Sequence, residues 1–289
     1  YSDMIYYANL YIHTINTNKF KTNLIASFRA TIKDLVGSSS VALNLEPKAK
    51  IVGGNKHYIA LREDGKAYVW GENENGQLGL GDNFDRIEPN YVIDSNNNII
   101  TDIADVASGA NFSVILKKDG TVWTTGNNED GRLGDGTKTS RKYFEQVKIN
   151  ETEFLENIIS IESCSNSSYA LSADGDIYAW GKCDVKQFGL NATSSFYAVK
   201  LPRLENILKI SAGEQCLFVL NSTGNVFCLG KNEGTFSLGN TTATTTFVEM
   251  KDENGNVLSG VKDIATGFHH ILVLKADNTV WATGRNNYY

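Results

Sequence analysis

Residues 64–82 read Asp64-Gly65-Lys66-Ala67-Tyr68-Val69-Trp70-Gly71-Glu72-Asn73-Glu74-Asn75-Gly76-Gln77-Leu78-Gly79-Leu80-Gly81-Asp82. Chemically this is a tight turn, a short apolar strand ending in an aromatic, and a glycine-punctuated loop. The phrase returns at 119–136, more loosely at 174–190 and 223–239, and starts again at Asp277. Repetition at a near-fixed period decides the fold before any local signal does. The turn slot holds Gly65, Gly120, Gly175, Gly224 and then Asn278. Three residues on stands an aromatic: Tyr68, Trp123, Tyr178, Phe227, Trp281. Six residues after the turn stands Gly71, Gly126, Gly181, Gly230 or Gly284, at intervals of 55, 55, 49 and 54 residues. Leucine precedes the turn by four (Leu61, Leu116, Leu171, Leu220, Leu274). A β-branched residue precedes it by fourteen (Ile51, Val106, Ile161, Ile210, Ile264). Eleven before it, Gly54, Gly109, Gly213 and Gly267 share a slot in which Cys164 is the exception.

Each unit reads as four short strands. In the second they are expected near 103–107, 112–116, 121–125 and 144–149, with an Asp119-Gly120 hairpin between the middle pair. One such sheet cannot bury both its faces, but sheets of about 50–55 residues set radially can, which is a β-propeller. The fold class is therefore all-β: a β-propeller of four-stranded antiparallel blades, with four full units and a partial fifth. Residues 1–47 lack the repeat landmarks and are expected to form an N-terminal attachment segment, with helical spacing over 23–36; residues 48–289 hold the repeats. Asp94-Ser95-Asn96-Asn97-Asn98 and Asp252-Glu253-Asn254-Gly255-Asn256 resemble calcium loops. They lack the glycine and glutamate an EF-hand needs at its sixth and twelfth positions, so hairpin turns are expected.

The bulk properties exclude several classes. A chain of 289 residues with 41% hydrophobic content is globular. Its net charge of −6 argues against nucleic acid or an anionic membrane as partner. No apolar run is long enough for membrane insertion. The chain starts at Tyr1 without a leader, so a processed, trimmed or fragmentary chain is expected. Abundant asparagine and only three prolines suggest A/T-rich coding, as in a low-GC bacterium or its phage. Cys164, Cys183, Cys216 and Cys228 form no C-x-x-C pair, so buried free thiols are expected rather than zinc; a Cys164–Cys216 bridge stays open.

The repeat resembles the regulator of chromosome condensation repeat family. The likeness rests on Gly54-x-x-His57, Leu61, Asp64-Gly65, Trp70-Gly71, Asn73 and Gly76-Gln77-Leu78-Gly79, then on Gly109, Leu116, Asp119-Gly120, Gly126, Asn128 and Gly131-Arg132-Leu133-Gly134. The third and fourth units are degenerate, with Lys186 and Thr235 in place of the loop glycine. The resemblance implies a seven-bladed propeller. Seven units need more chain than the 289 residues present, so C-terminal truncation is expected. The Asn-rich hairpins look more like bacterial and phage members than eukaryotic ones.

No catalytic constellation emerges, and neither a cofactor nor a metal is expected. His269 and His270 are adjacent and point to opposite faces on a strand. The Gly-rich segment at Asp135 lacks a P-loop lysine, and no Gly-x-Ser-x-Gly elbow occurs. The repeat glycines Gly71, Gly126, Gly181, Gly230 and Gly284 serve structure. The expected function is non-catalytic binding, carried by loops 72–85, 127–140, 182–196 and 231–245. Phe84, Asp85, Asn127, Asn128, Phe188, Phe196 and Phe236 are the candidate contact residues. Amides with aromatics suit a protein or a cell-surface glycan, and other subunits of a larger assembly are expected partners. The reading favours a bacterial surface protein or a phage tail or baseplate component, hence an extracellular, cell-surface or virion location. The alternative, implied by the eukaryotic members of the family, is exchange of guanine nucleotide on a small GTPase in the cytoplasm.

Overall fold

A computed structural model describes residues 45–184, 188, 192–232 and 241–285. The expected attachment segment and the 23–36 helix lie outside them. Among the described residues the chain forms nineteen strands in five antiparallel sheets. The first sheet is β1 (Lys50–Gly53), β2 (His57–Leu61), β3 (Ala67–Gly71) and β4 (Arg86–Tyr91). The second is β5 (Ile103–Ser108), β6 (Phe112–Lys117), β7 (Val122–Gly126) and β8 (Arg141–Gln146). The third is β9 (Ile158–Cys164), β10 (Ser167–Ser172), β11 (Ile177–Lys182) and β12 (Ser194–Lys200). The fourth is β13 (Ile207–Gly213), β14 (Cys216–Asn221), β15 (Val226–Gly230) and β16 (Thr244–Glu249). The fifth has three strands, β17 (Val261–Thr266), β18 (His270–Lys275) and β19 (Val280–Gly284). Strands pair in sequence order within every sheet.

The sheets are radial. The leading strands β1, β5, β9, β13 and β17 neighbour one another in succession, so they line an axis and the fourth strands lie outermost. Alternation along each strand sends one set of side chains to the preceding sheet and the other to the following sheet. The core accordingly splits into four apolar clusters, each between two neighbouring sheets. Ile59, Leu61 and Val69 of the first sheet meet Val106, Ile115 and Phe144 of the second. Leu116 and Val122 meet Ile161 and Trp180 between the second and third, where Trp180 Nε1 donates to the Arg132 carbonyl at 3.0 Å. The slot aromatics Tyr68, Trp123, Tyr178 and Phe227 are half-buried flanks of these clusters rather than their centres.

The turn slot requires a positive φ, and Gly65, Gly120, Gly175 and Gly224 have φ between 77° and 82°; Asn278, at 68°, is the non-glycine residue type that best tolerates it. One expectation needed adjustment. The fourth strand of the second unit runs from Arg141, three residues earlier than the apolar run suggests. Its register is set by Gly126↔Arg141 pairing and a bulge before Thr124↔Glu145. Both Asn-rich segments are hairpin turns: the Asp94 carboxylate accepts from the Asn96 and Asn98 amides, and Asp252 does the same with Asn254 and Asn256. The four cysteines are free.

Candidate functional site

At one end of the sheets the β3–β4 loops meet the turns that join first and second strands. Glu72 N donates to Lys56 O and Asn127 N to Asn111 O, both at 2.9 Å. The same bond recurs from Lys182 to Asn166, Lys231 to Gln215 and Arg285 to His269. The inner turns are also stitched around the axis, since Asn55 N donates to Ala110 O, Ala110 N to Ser165 O and Glu214 N to Phe268 O. This end is therefore a platform of backbone-anchored turns carrying long loops.

In the first two sheets an asparagine, an aspartate and an arginine lock each loop. Asn73 accepts from Leu78 N through Oδ1 and donates from Nδ2 to Asp82, whose carboxylate also pairs with Arg86 at 2.6 Å. Asn128 accepts from Leu133 N and donates to Asp135, which pairs with Arg141 at 2.7 Å. Asn73 and Asn128 share a repeat slot, as do Arg86 and Arg141, but the aspartates sit two slots apart. The geometry is kept while the acid moves. Burial opposes ionisation of both acids, yet Thr137, Arg141 and Asn128 hold the Asp135 carboxyl below its ordinary value. Arg86 leads the same effect at Asp82. In the third sheet Cys183 replaces the asparagine, and its thiol donates to Ala192 O at 3.3 Å.

The structure separates the candidate contact residues. Phe84 projects at 74% exposure, and Asp85 is exposed while its carboxylate accepts from Asn73 N. Asn127 is half-buried and bridges two sheets through Asn75 at 3.1 Å. Asn128 is fully buried and cannot meet a ligand; its amide is consumed by its own loop. Phe188, at 3% exposure, packs edge-on against Tyr169 in the core. Phe196 lies on β12, where Gly131 of the preceding sheet's loop sits against its ring and Lys138 Nζ lies 5.2 Å from the ring centroid. Asn128 and Phe188 thus turn inward while Phe196 stays half-buried, because a loop aromatic or amide gains more from burial or backbone bonding than from projecting. Phe236 lies outside the described residues. Phe268, on the mouth turn before β18, is 51% exposed and edge-on to His269. Its signal was an aromatic in the slot that holds Asn55, Ala110, Ser165 and Glu214 elsewhere. The Asp–Arg partners of the two locks also escaped, since they show in sequence only as an acid four or six residues before an arginine. Among the described residues no group of three metal-ligating side chains converges.

Radially arranged antiparallel sheets, strand-ordered from axis to rim and sharing apolar clusters, define a β-propeller. Residues 64–116 match the Regulator of chromosome condensation (RCC1) repeat, and 49–77, 103–132 and 261–289 match a second form of it. The chain belongs to this RCC1-repeat family. It is 30% identical to the ultraviolet-B receptor UVR8 of Arabidopsis thaliana over 241 residues, 82% of this chain and 52% of that one. It is 26% identical to the human E3 ubiquitin-protein ligase HERC2 over 261 residues, 88% of this chain and 5% of HERC2. The crystal structure of Saccharomyces cerevisiae Prp20p shares the fold, with a TM-score of 0.66, 19% identity, and coverage of 82% of this chain and 58% of that one. The chain thus spans about half of UVR8 and a small fraction of HERC2, so the ligase activity of HERC2 is not read onto it.

Proposed function

We propose that this propeller is a protein-recognition module that works inside the cell and engages its partner through the loop end of its first two blades. The observation that carries the reading is the pair of locked loops. The first of them fixes the backbone on both sides of Phe84 and leaves that ring projecting, with exposed Glu74 and Asp85 around it. A rigid aromatic beside polar and charged groups is the usual anchor of a protein interface. The acidic surround suits a basic partner surface. Prp20p, which shares the fold, is described together with its binding to Gsp1p and histones, which supports a protein partner over a glycan. The named relatives offer nothing toward a bacterial surface or phage tail role, and that reading gives way to this one. The likeness to Prp20p also favours a second reading, nucleotide exchange on a GTPase of the Gsp1p kind.

One experiment addresses both readings. The chain is titrated against a Gsp1p-type GTPase, against histones and against a glycan array, and release of fluorescent GDP from the GTPase is followed in parallel. Binding to one of the proteins, weakened tenfold or more by Phe84→Ala, is the expected result. Faster GDP release than the intrinsic rate establishes the exchange reading. Recognition of glycans alone, or a Phe84→Ala chain that binds as tightly as the original, overturns the proposal.

A further inference from the structure

The loop of the second blade departs from that of the first at one hydroxyl. Ser140 stands 14 residues after Gly126, in the slot that Asp85 holds 14 residues after Gly71. Both side chains accept a hydrogen bond from the amide of the loop asparagine. Asn73 N donates to Asp85 Oδ1 at 2.8 Å, and Asn128 N donates to Ser140 Oγ at 3.2 Å. The first loop thus closes on two acids, Asp82 and Asp85, where the second closes on Asp135 and a hydroxyl. The cations run the other way. Lys138 and Lys142 fill the slots of Asn83 and Ile87, so residues 137–142 hold three cations and no acid, while residues 82–87 hold two acids and Arg86. Lys138, Thr139 and Ser140 are all exposed and lie just before β8. The backbone beside them is held, because Thr125 Oγ1 bonds both the Arg141 carbonyl and the Gly76 carbonyl of the first loop at 3.0 Å.

We propose that Ser140 is a phosphorylation site, the phosphate taking in the second blade the place that the Asp85 carboxylate has in the first. The phosphoryl donor is ATP, delivered by a serine/threonine kinase that favours basic flanks. Ser140 Oγ attacks the γ-phosphorus, and an O–P bond forms as the bond to the β–γ bridging oxygen breaks. ADP leaves, and the hydroxyl proton passes to the base of the kinase. Phosphoserine carries about −1.5 to −2 charge at pH 7, here with Lys138, Arg141 and Lys142 on either side of it in sequence. It turns the neutral bond from Asn128 N into a charge-assisted one, roughly twice as strong. Cations flanking the acceptor also steer it toward an acidic kinase groove. The neighbouring hydroxyls fit less well. Thr137 Oγ1 donates to Asp135 Oδ1 at 2.8 Å and belongs to the lock. Thr139 stands in the projecting slot of Phe84 rather than in that of Asp85.

The test incubates the full chain with ATP, Mg²⁺ and a panel of basic-directed serine/threonine kinases, beside the variants Ser140→Ala and Ser140→Asp. Circular dichroism with a urea midpoint verifies that both variants fold. The expected product carries one phosphoryl group, located at Ser140 by fragment mass spectrometry, and Ser140→Ala should take up at least tenfold less. Hydrogen exchange reads the new bond directly. The Asn128 amide should exchange at least threefold more slowly in the phosphorylated chain and in Ser140→Asp, and faster in Ser140→Ala. Two results overturn the proposal. One is a panel that leaves Ser140 unmodified, whether or not Thr137 or Thr139 reacts. The other is a phosphate or an aspartate at position 140 that leaves exchange of the Asn128 amide unchanged or quickens it. Neither readout involves a binding partner, so failure here leaves recognition through Phe84 untouched.

Discussion

At the scale of single residues, His57 shows how this fold uses a polar side chain as packing. It is fully buried between the first two blades, with Nε2 3.1 Å from the Ser113 hydroxyl, which itself donates to Gln77 O at 2.7 Å. With the hydroxyl proton committed, Nε2–H must be the donor to Ser113, and Nδ1 has no hydrogen-bond partner. Burial pushes the His57 imidazole down from 6.5 to about 4. A base whose folded value lies below its unfolded one leaves the native state with fewer bound protons. The stability it supports is complete above pH 6.5, falls as pH drops through that value, and stops falling below about 4. The displacement is worth about 3 kcal/mol. The second blade holds Phe112 in the same slot, fully buried. His57→Phe should therefore remove much of the acid sensitivity between pH 6.5 and 4, read as the difference in urea midpoint between variant and original. Identical slopes for the two chains across that window would refute the assignment.

At the scale of elements, the repeat glycines follow one φ pattern but carry different loads. Gly126 has φ 114°, and a Cβ there would stand 2.6 Å from the Asn111 carbonyl oxygen and 2.7 Å from Phe112 Cα. Gly175 has φ 81° and no atom within 4 Å of where its Cβ would be. Gly175→Ala meets only the left-handed backbone penalty, about 1 kcal/mol. Gly126→Ala adds a backbone clash and should cost about 3 kcal/mol or more. Denaturant midpoints of the two variants check this, and equal losses would show that the close approach at Gly126 is relieved by movement. These glycines, the Asp-Gly hairpins and the strand aromatics were legible in the sequence because each repeat restates the same local geometry. The loop locks were not, because Asp82 and Asp135 occupy different slots and only folding brings each beside its arginine. Nor was the burial of Phe188 or the half-burial of Phe196. Sequence gives their apolarity, while the neighbouring blade and the Tyr169 ring decide which way they turn. Phe84 stays exposed, as does Thr139 in the same slot of the second blade.

At the scale of the whole molecule, the leading strands bring charge to the axis in a pattern no single repeat displays. Lys50 pairs with Asp105 at 2.8 Å, and three blades further round Lys209 pairs with Asp263 at 2.7 Å. These four residues share one repeat slot, in which the third blade has Ser160. The third blade supplies Glu162 instead, two residues along the same face of β9. Burial raises the Glu162 carboxyl above its ordinary value; Lys50 and Lys209 oppose the rise, and Asp105 adds to it. An acid whose folded value exceeds its unfolded one contributes stability below the unfolded value and loses it as pH climbs through the folded one. The axis therefore weakens toward neutral and alkaline pH, opposite in direction to the effect of His57. Glu162→Gln keeps the shape of the side chain and removes its charge. It should leave the thermal midpoint near that of the original chain at about pH 4 and raise it at pH 8, with the gap opening through the Glu162 titration. A variant less stable than the original at pH 8 would mean that the two lysines outweigh burial, making Glu162 a net bond across the axis rather than a strain upon it.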